Sequence, residues 1–167
     1  MQTSTLNKLY FIILSISIFI GYYFGEDSAG SGGFIADFKN TLLYLDNIAK
    51  ELSLYFRKGV SHFPLHYFIA SKILIFTKDV DLLRLFYCFI SLVTPIIFYK
   101  SLKNKFGNIE SDKLFLFSLI IFLMPSFRSG AIWANSHLTA LIFFLISLLY
   151  FTRWEKVKDY SNFNFNL

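Results

Sequence analysis

The chain has 167 residues, of which 55% are hydrophobic and 20% aromatic, while only 16% are charged. A soluble domain carries about 25% charged residues, and its core would be overfilled by 22 phenylalanines, so the composition excludes an ordinary soluble protein. The formal charge of +5 comes from basic residues beside apolar runs. This placement is typical of membrane topology signals and argues against a nucleic-acid partner.

Four apolar segments predict an all-α integral membrane protein with about four transmembrane helices. They lie at about 9–25, 82–99, 114–130 and 137–152, and a helix needs about 20 residues to cross the hydrocarbon core. The last two are short and need neighbouring residues to complete a crossing. The first segment also fits a signal peptide, but the acidic Glu26-Asp27 pair after it and the later spans favour an uncleaved anchor.

The basic residues predict the orientation of these spans. Lys8, the loop 100–113 and the tail from Arg153 all belong on the cytoplasmic side by the positive-inside rule. Four crossings satisfy all three placements, which predicts cytoplasmic N- and C-termini and an external loop at 26–81. The single cysteine, Cys88, excludes an intrachain disulfide.

Within the external loop, apolar residues recur at helical spacing and predict an amphipathic juxtamembrane helix at 37–57. The stripe consists of Phe38, Leu42, Leu45, Ala49, Leu52 and Phe56. Asp37 stands at the predicted helix start, where its carboxylate would cap a free backbone N–H. The same carboxylate is also a candidate for the active site, and the two roles are compatible.

A second external segment at 63–77 predicts an interfacial or re-entrant helix, because a fifth crossing would place the lysine-rich loop outside. It follows the run His62-Phe63-Pro64-Leu65-His66-Tyr67. Rings of this kind commonly lie at the membrane interface, where one side is apolar and the other is wet. The histidines lack the spacing of a zinc-binding helix.

Four blocks in succession resemble the N-terminal portion of the GT-C-fold membrane glycosyltransferases. This group uses polyprenyl-phosphate-linked sugars and includes protein mannosyltransferases, aminoarabinose transferases and rhizobial lipopolysaccharide transferases. The blocks are the acidic loop and helix start at 32–40, the His-x-Pro-Leu-x-Tyr run at 62–67, the Arg84 segment at 82–85, and the proline-ended span and loop at 124–137.

The resemblance implies an external-face transferase that moves a sugar from a polyprenyl-phosphate donor to a cell-envelope glycan, lipid or protein acceptor, in a bacterial inner or plasma membrane. It implies Asp37 as the catalytic carboxylate, with Asp27 and Glu26 as alternatives. A divalent metal is allowed, with Asp37 and His137 as candidate ligands, although the second external loop lacks the acid that members often carry. The implied substrate-binding residues are His62, His66, Tyr67, Arg84, Arg128, Asn135 and His137. Arg84 is alternatively a residue flanking a span, whose charged end extends to the membrane interface.

Family members are much longer, so we expect this chain to be a fragment of a longer module, whose partners would be membrane lipid and a second subunit or C-terminal half. Two other classes of function stay open. The chain is alternatively a non-catalytic small membrane protein, such as a scaffold or truncated remnant, or half of a transporter or flippase. The transporter predicts flux without covalent chemistry, with Arg128 facing a polar pathway. The scaffold predicts that Asp37 and Arg128 can be replaced, whereas the amphipathic stripe cannot.

Overall fold

The computed structural model describes residues 4–28, 32–50 and 65–164, with side chains for all of these except 46–50 and 159–164. Every regular element in these ranges is helical, which confirms the predicted all-α class. In chain order the helices are α1 Thr5–Phe24, α2 Gly33–Lys50, α3 Leu65–Thr77, α4 Val80–Ser91, α5 Val93–Lys105, α6 Ser111–Leu119, α7 Pro125–Ile132 and α8 Ser136–Asn164, with a 3₁₀ turn at Ile120–Leu123 between α6 and α7.

Among the described residues, three helical stretches are long and apolar enough to cross a membrane. They are α1, the continuous stretch Val80–Lys105 formed by α4 and α5, and the part of α8 from Ser136 to Lys158. Large apolar side chains remain exposed all along α1, including Ile12, Ile16 and Ile20. Exposed residues of this kind are expected where the solvent is lipid.

A bent pair of helices supplies the fourth candidate span. The stretch Ser111–Leu123 and helix α7 meet at an angle of 66°. Pro125 is the first residue of α7, and it cannot donate a hydrogen bond to the turn before it. The predicted span at 114–130 is therefore interrupted near its end. The residues that complete its length lie in α7, after the bend.

One end of the bundle collects the basic segments, and we call it the basic end. The backbone N–H of Ser4 donates to Asp112 Oδ1 over 3.1 Å, which joins the start of α1 to the start of α6. Lys105 at the end of α5 pairs with Glu155 on α8 over 3.0 Å. Lys8, the basic loop 100–113 and the basic tail from Arg153 thus lie at the same end of the bundle, as four crossings require. That this end faces the cytoplasm stays a prediction.

The opposite end, where α1 ends and α8 begins, carries α2 and α3, and we call it the loop end. Helix α2 packs along α3, while α3 also contacts α4 and α8. With 13 residues, α3 is about 20 Å long at 1.5 Å per residue, which is short for a crossing. The predicted second external helix at 63–77 thus corresponds to α3 over its described part.

The start of the amphipathic helix differs from the sequence prediction. Helix α2 begins at Gly33, so Asp37 lies inside the helix and is not its N-cap. The capping carboxylate is instead that of Asp27, which accepts the backbone N–H of Ile35 over 2.9 Å. Gly32, with φ of 73°, makes the turn into the helix. The predicted continuation to residue 57 lies outside the described residues beyond Lys50.

Candidate functional site at the loop end

The end of α1 folds back on itself and brings Glu26 beside Gly21. Gly25 adopts a left-handed conformation with φ of 67°, which suits a residue without Cβ. The N–H of Glu26 then donates to the carbonyl of Gly21 over 2.8 Å, and that of Gly25 to Tyr22 over 3.2 Å. This pair of bonds is the Schellman arrangement that ends many helices. It directs the Glu26 side chain towards α7.

Arg128 on α7 meets Glu26 with a two-pronged ion pair. Its Nε donates to Glu26 Oε1 over 2.7 Å and its Nη2 to Oε2 over 2.6 Å. The other donors bond to the hydroxyl and carbonyl of Ser17, at 2.8 and 3.0 Å, and more weakly to the carbonyl of Phe122 at 3.5 Å. A guanidinium has five N–H groups, and here each has an acceptor inside the chain.

This arrangement changes the interpretation of Arg128. The resemblance implies a phosphate ligand, whereas the observed guanidinium joins α1 to the broken span of α7. Ser17 lies seven residues before the end of α1, which is about 10 Å along the helix. A charge at that depth is costly unless it is paired. Glu26 supplies the pairing, so neither residue presents its charge to a substrate in this structure.

Arg84 has a comparable position on α4. Its guanidinium lies between two aromatic rings, 4.0 Å from the centre of Trp133 and 4.7 Å from that of Tyr22. Nε donates to the carbonyl of Ile132 over 3.1 Å, and Nη1 pairs with Asp81 over 3.0 Å. With its side chain only 13% exposed, Arg84 joins α1, α4 and the end of α7.

Arg84→Lys is expected to weaken the contacts between α1, α4 and the end of α7. A lysine ammonium cannot stack flat between the two aromatic rings while it also bonds to the two acceptors of the guanidinium. We expect the free energy of unfolding to fall by about 1–2 kcal/mol. In a Trp154→Phe background Trp133 is the remaining tryptophan, and its fluorescence should shift to the red. The control is Arg153→Lys, an exposed arginine at the basic end. Unchanged stability and emission in Arg84→Lys would contradict the assignment.

His66 belongs to a buried polar cluster that links α3, α4 and α8. Its Nδ1 lies 2.9 Å from Thr139 Oγ1 and 3.1 Å from the hydroxyl of Tyr87. Tyr67, the next residue, is also buried and packs edge-on against Tyr44 of α2. The structure thus brings His66 and Tyr67 to the loop end. His62 lies outside the described residues.

Asn135 holds His137 at the start of α8. Its Oδ1 accepts the backbone N–H of His137 over 3.0 Å, as an N-cap does, and also contacts Nδ1 of that histidine. Because this oxygen can only accept, Nδ1 carries the hydrogen and Nε2 of the neutral ring is an acceptor. Asn135 is buried, whereas the His137 side chain is exposed.

Two open cavities meet at His137. The first has a volume of about 420 Å³ and combines apolar walls with polar groups; it is lined by Leu65, His66, Ser136, His137, Thr139, Ala140 and Phe143. The second has about 280 Å³ and is mainly apolar; besides His137, Phe34 of α2, Met124 at the helix break and Leu141 of α8 line it. The loop end therefore offers two mainly apolar recesses side by side, of which the larger also carries polar side chains.

The three acidic candidates have different surroundings. Glu26 is bonded to Arg128, and Asp27 caps α2. Asp37 is exposed on α2, one turn after Phe34, and has no ion pair with another described residue. Within the described ranges, no group of three or more His, Cys, Asp or Glu side chains is arranged to hold a metal ion.

The pairings that build this end escaped the sequence interpretation. The sequence presents Glu26 as an alternative catalytic carboxylate and Arg128 as a substrate-binding residue, not as partners of each other. It gives no sign of the roles of Ser17, Trp133, Tyr87 and Thr139. Comparison with known proteins adds no further constraint. No protein-family model matches the chain, and neither a curated protein nor a solved structure is significantly similar to it.

Proposed function

We propose that this chain contributes the donor-binding half of an external-face membrane glycosyltransferase that uses a polyprenyl-phosphate-linked sugar. The observation that carries the proposal is the position of His137 between two mainly apolar cavities at the loop end, one of which is also lined by His66, Ser136 and Thr139. A donor with an isoprenoid chain, a phosphate and a sugar needs apolar and polar recesses side by side. Ligand sites commonly combine apolar walls with a few placed polar groups.

In this proposal the isoprenoid chain lies in the recess lined by Phe34, Met124 and Leu141, and the sugar phosphate lies near His137. The side chains of His66, Ser136 and Thr139 border the larger cavity and supply its hydrogen-bonding groups. Imidazole suits this place because Nε2 of His137, an acceptor in the neutral ring, becomes a donor to a phosphate oxygen when the ring gains a second proton. The two arginines position the surrounding helices and do not touch the donor.

The exposed carboxylate of Asp37 serves as the general base. It takes the proton of the acceptor hydroxyl as that oxygen forms a bond to the anomeric carbon. The bond from the anomeric carbon to the phosphate oxygen breaks in the same step, and polyprenyl phosphate leaves with the electron pair. The choice of Asp37 among the three acidic candidates is supported by the structural partners that Glu26 and Asp27 already have.

Asp37→Asn is expected to reduce sugar transfer at least a hundredfold, because an amide cannot accept the hydroxyl proton. The measurement is transfer of a labelled sugar from polyprenyl phosphate in membranes that contain the chain. The matched control is Glu110→Gln, which removes an exposed carboxylate at the basic end and should leave transfer unchanged. Both variants are compared at equal protein levels in the membrane.

Transfer that persists in Asp37→Asn would contradict the role of this residue, and no transfer by the intact chain would overturn activity of the chain by itself. Absence of transfer by the intact chain would favour a non-catalytic scaffold, which one observation also supports. All five N–H donors of Arg128 are bonded within the chain, as in a residue with a structural role. Replacement of Arg128 therefore cannot separate the two functions, whereas replacement of Asp37 can.

A further inference from the structure

At the basic end, a cleft between α5 and α8 lies far from the proposed transferase site. Its volume is about 530 Å³. Its lining residues are Lys100, Lys103, Asn104, Leu149, Tyr150, Arg153, Lys156 and Val157. Four of these side chains are basic, and the described lining contains no acidic residue. The cleft therefore has a concentrated positive charge and a partly apolar wall.

The spacing of the basic residues keeps them on one side of each helix. Lys100 and Lys103 are three residues apart on α5, as are Arg153 and Lys156 on α8, and residues at this spacing are neighbours on a helix surface. Glu155, the nearest acid along α8, is bonded to Lys105 over 3.0 Å. This pair joins the two helices beside the cleft.

The cleft lies beside apolar side chains that are exposed on both helices. Ile96, one turn before Lys100 on α5, is 38% exposed, and Tyr150 at the cleft wall is 66% exposed. Trp154 follows one turn later on α8 and is also largely exposed. Aromatic residues of this kind are typical of the headgroup layer. The positive charge is thus next to exposed aromatic and apolar side chains, an arrangement that suits the headgroup layer.

We propose that this cleft binds the phosphate headgroup of an anionic phospholipid, with an acyl chain lying along the surface that includes Ile96. Basic pockets between membrane helices suit phosphate headgroups by charge, and each nearby Lys or Arg strengthens attraction to an anionic bilayer surface. Arg153 adds a planar fork that matches two phosphate oxygens. A phospholipid fits this cleft better than a soluble anion does, because the apolar side chains of Leu149, Tyr150 and Val157 in the cleft wall can contact an acyl chain.

The test uses the full chain in nanodiscs of phosphatidylglycerol and phosphatidylcholine with identical acyl chains. Native mass spectrometry after release from the nanodisc counts the phosphatidylglycerol molecules retained by the protein. The double variant Lys100→Gln/Arg153→Gln should weaken retention about tenfold or more, because it removes two of the four charges. The charge-conserving variant Lys100→Arg/Arg153→Lys should retain the lipid.

The matched control is Lys8→Gln/Lys113→Gln, which removes two exposed charges at the same end but outside the cleft. If this control loses as much lipid as the cleft variant, general surface charge accounts for retention and the proposal is overturned. Competition by soluble glycerol phosphate at equal concentration would also overturn it, since the site would then take free phosphate esters. Circular dichroism checks that each variant keeps its helical content.

Discussion

Arg128→Gln is expected to lower the free energy of unfolding by about 2–4 kcal/mol. The change leaves the carboxylate of Glu26 without its ionic partner and removes the bonds to Ser17. Breaking a buried ion pair on one side costs about 3–5 kcal/mol. Because the Glu26 side chain is 32% exposed, water reduces that cost. Titration with SDS in mixed micelles, followed by tryptophan fluorescence, measures the change.

A double-mutant cycle separates the pair from its surroundings. Glu26→Gln alone leaves a charged guanidinium at membrane depth, so its cost should resemble that of Arg128→Gln. The double variant should cost clearly less than the sum of the two, because neither charge is then stranded. Lys105→Gln serves as control, since it breaks a more exposed pair worth less than about 1 kcal/mol. Equal costs for Arg128→Gln and Lys105→Gln would contradict the structural role.

The helical class and three to four apolar helices could be predicted from the sequence, because each depends on composition and short-range spacing. The helix in segment 63–77 is a similar case, because α3 covers its described part; that this helix does not cross the membrane stays a prediction. The start of α2 was predicted four residues too late. The apolar stripe begins at Phe38, but the turn at Gly32 and the cap from Asp27 set the true start at Gly33.

The connections within the candidate site could not be predicted in the same way. Glu26 and Arg128 are 102 residues apart along the chain, and no local pattern marks them as partners. Their pairing depends on the folded-back end of α1 and on the bend before α7, each of which changes the direction of one short segment. From the sequence alone, Arg128 is equally suited to bind a phosphate or to pair with a carboxylate. Only the position of Arg128 relative to Glu26 in the fold distinguishes these two roles.

Gly21 tests how tightly that ion pair is held. A Cβ built on Gly21 would overlap the carboxylate of Glu26 and would lie 3.2 Å from Arg128 Nη2 and 3.0 Å from Ile132 Cδ1. Side-chain ends usually move aside at little cost, but this carboxylate is fixed by two bonds to one guanidinium. We therefore expect Gly21→Ala to lower the free energy of unfolding by about 1–3 kcal/mol, as measured by the same SDS titration.

Gly130→Ala is the matched control, because it also lies in a helix but its added Cβ would meet no atom within 4 Å. Alanine is the better helix former by about 1 kcal/mol, so this change should be neutral or stabilising. In an Arg128→Gln background the Glu26 carboxylate can move, and the cost of Gly21→Ala should fall towards zero. A penalty that stays the same in that background would show that Ile132, and not the ion pair, opposes the added methyl group. If the cost of Gly21→Ala disappears in that background, the Glu26–Arg128 ion pair is what keeps this part of the loop end rigid.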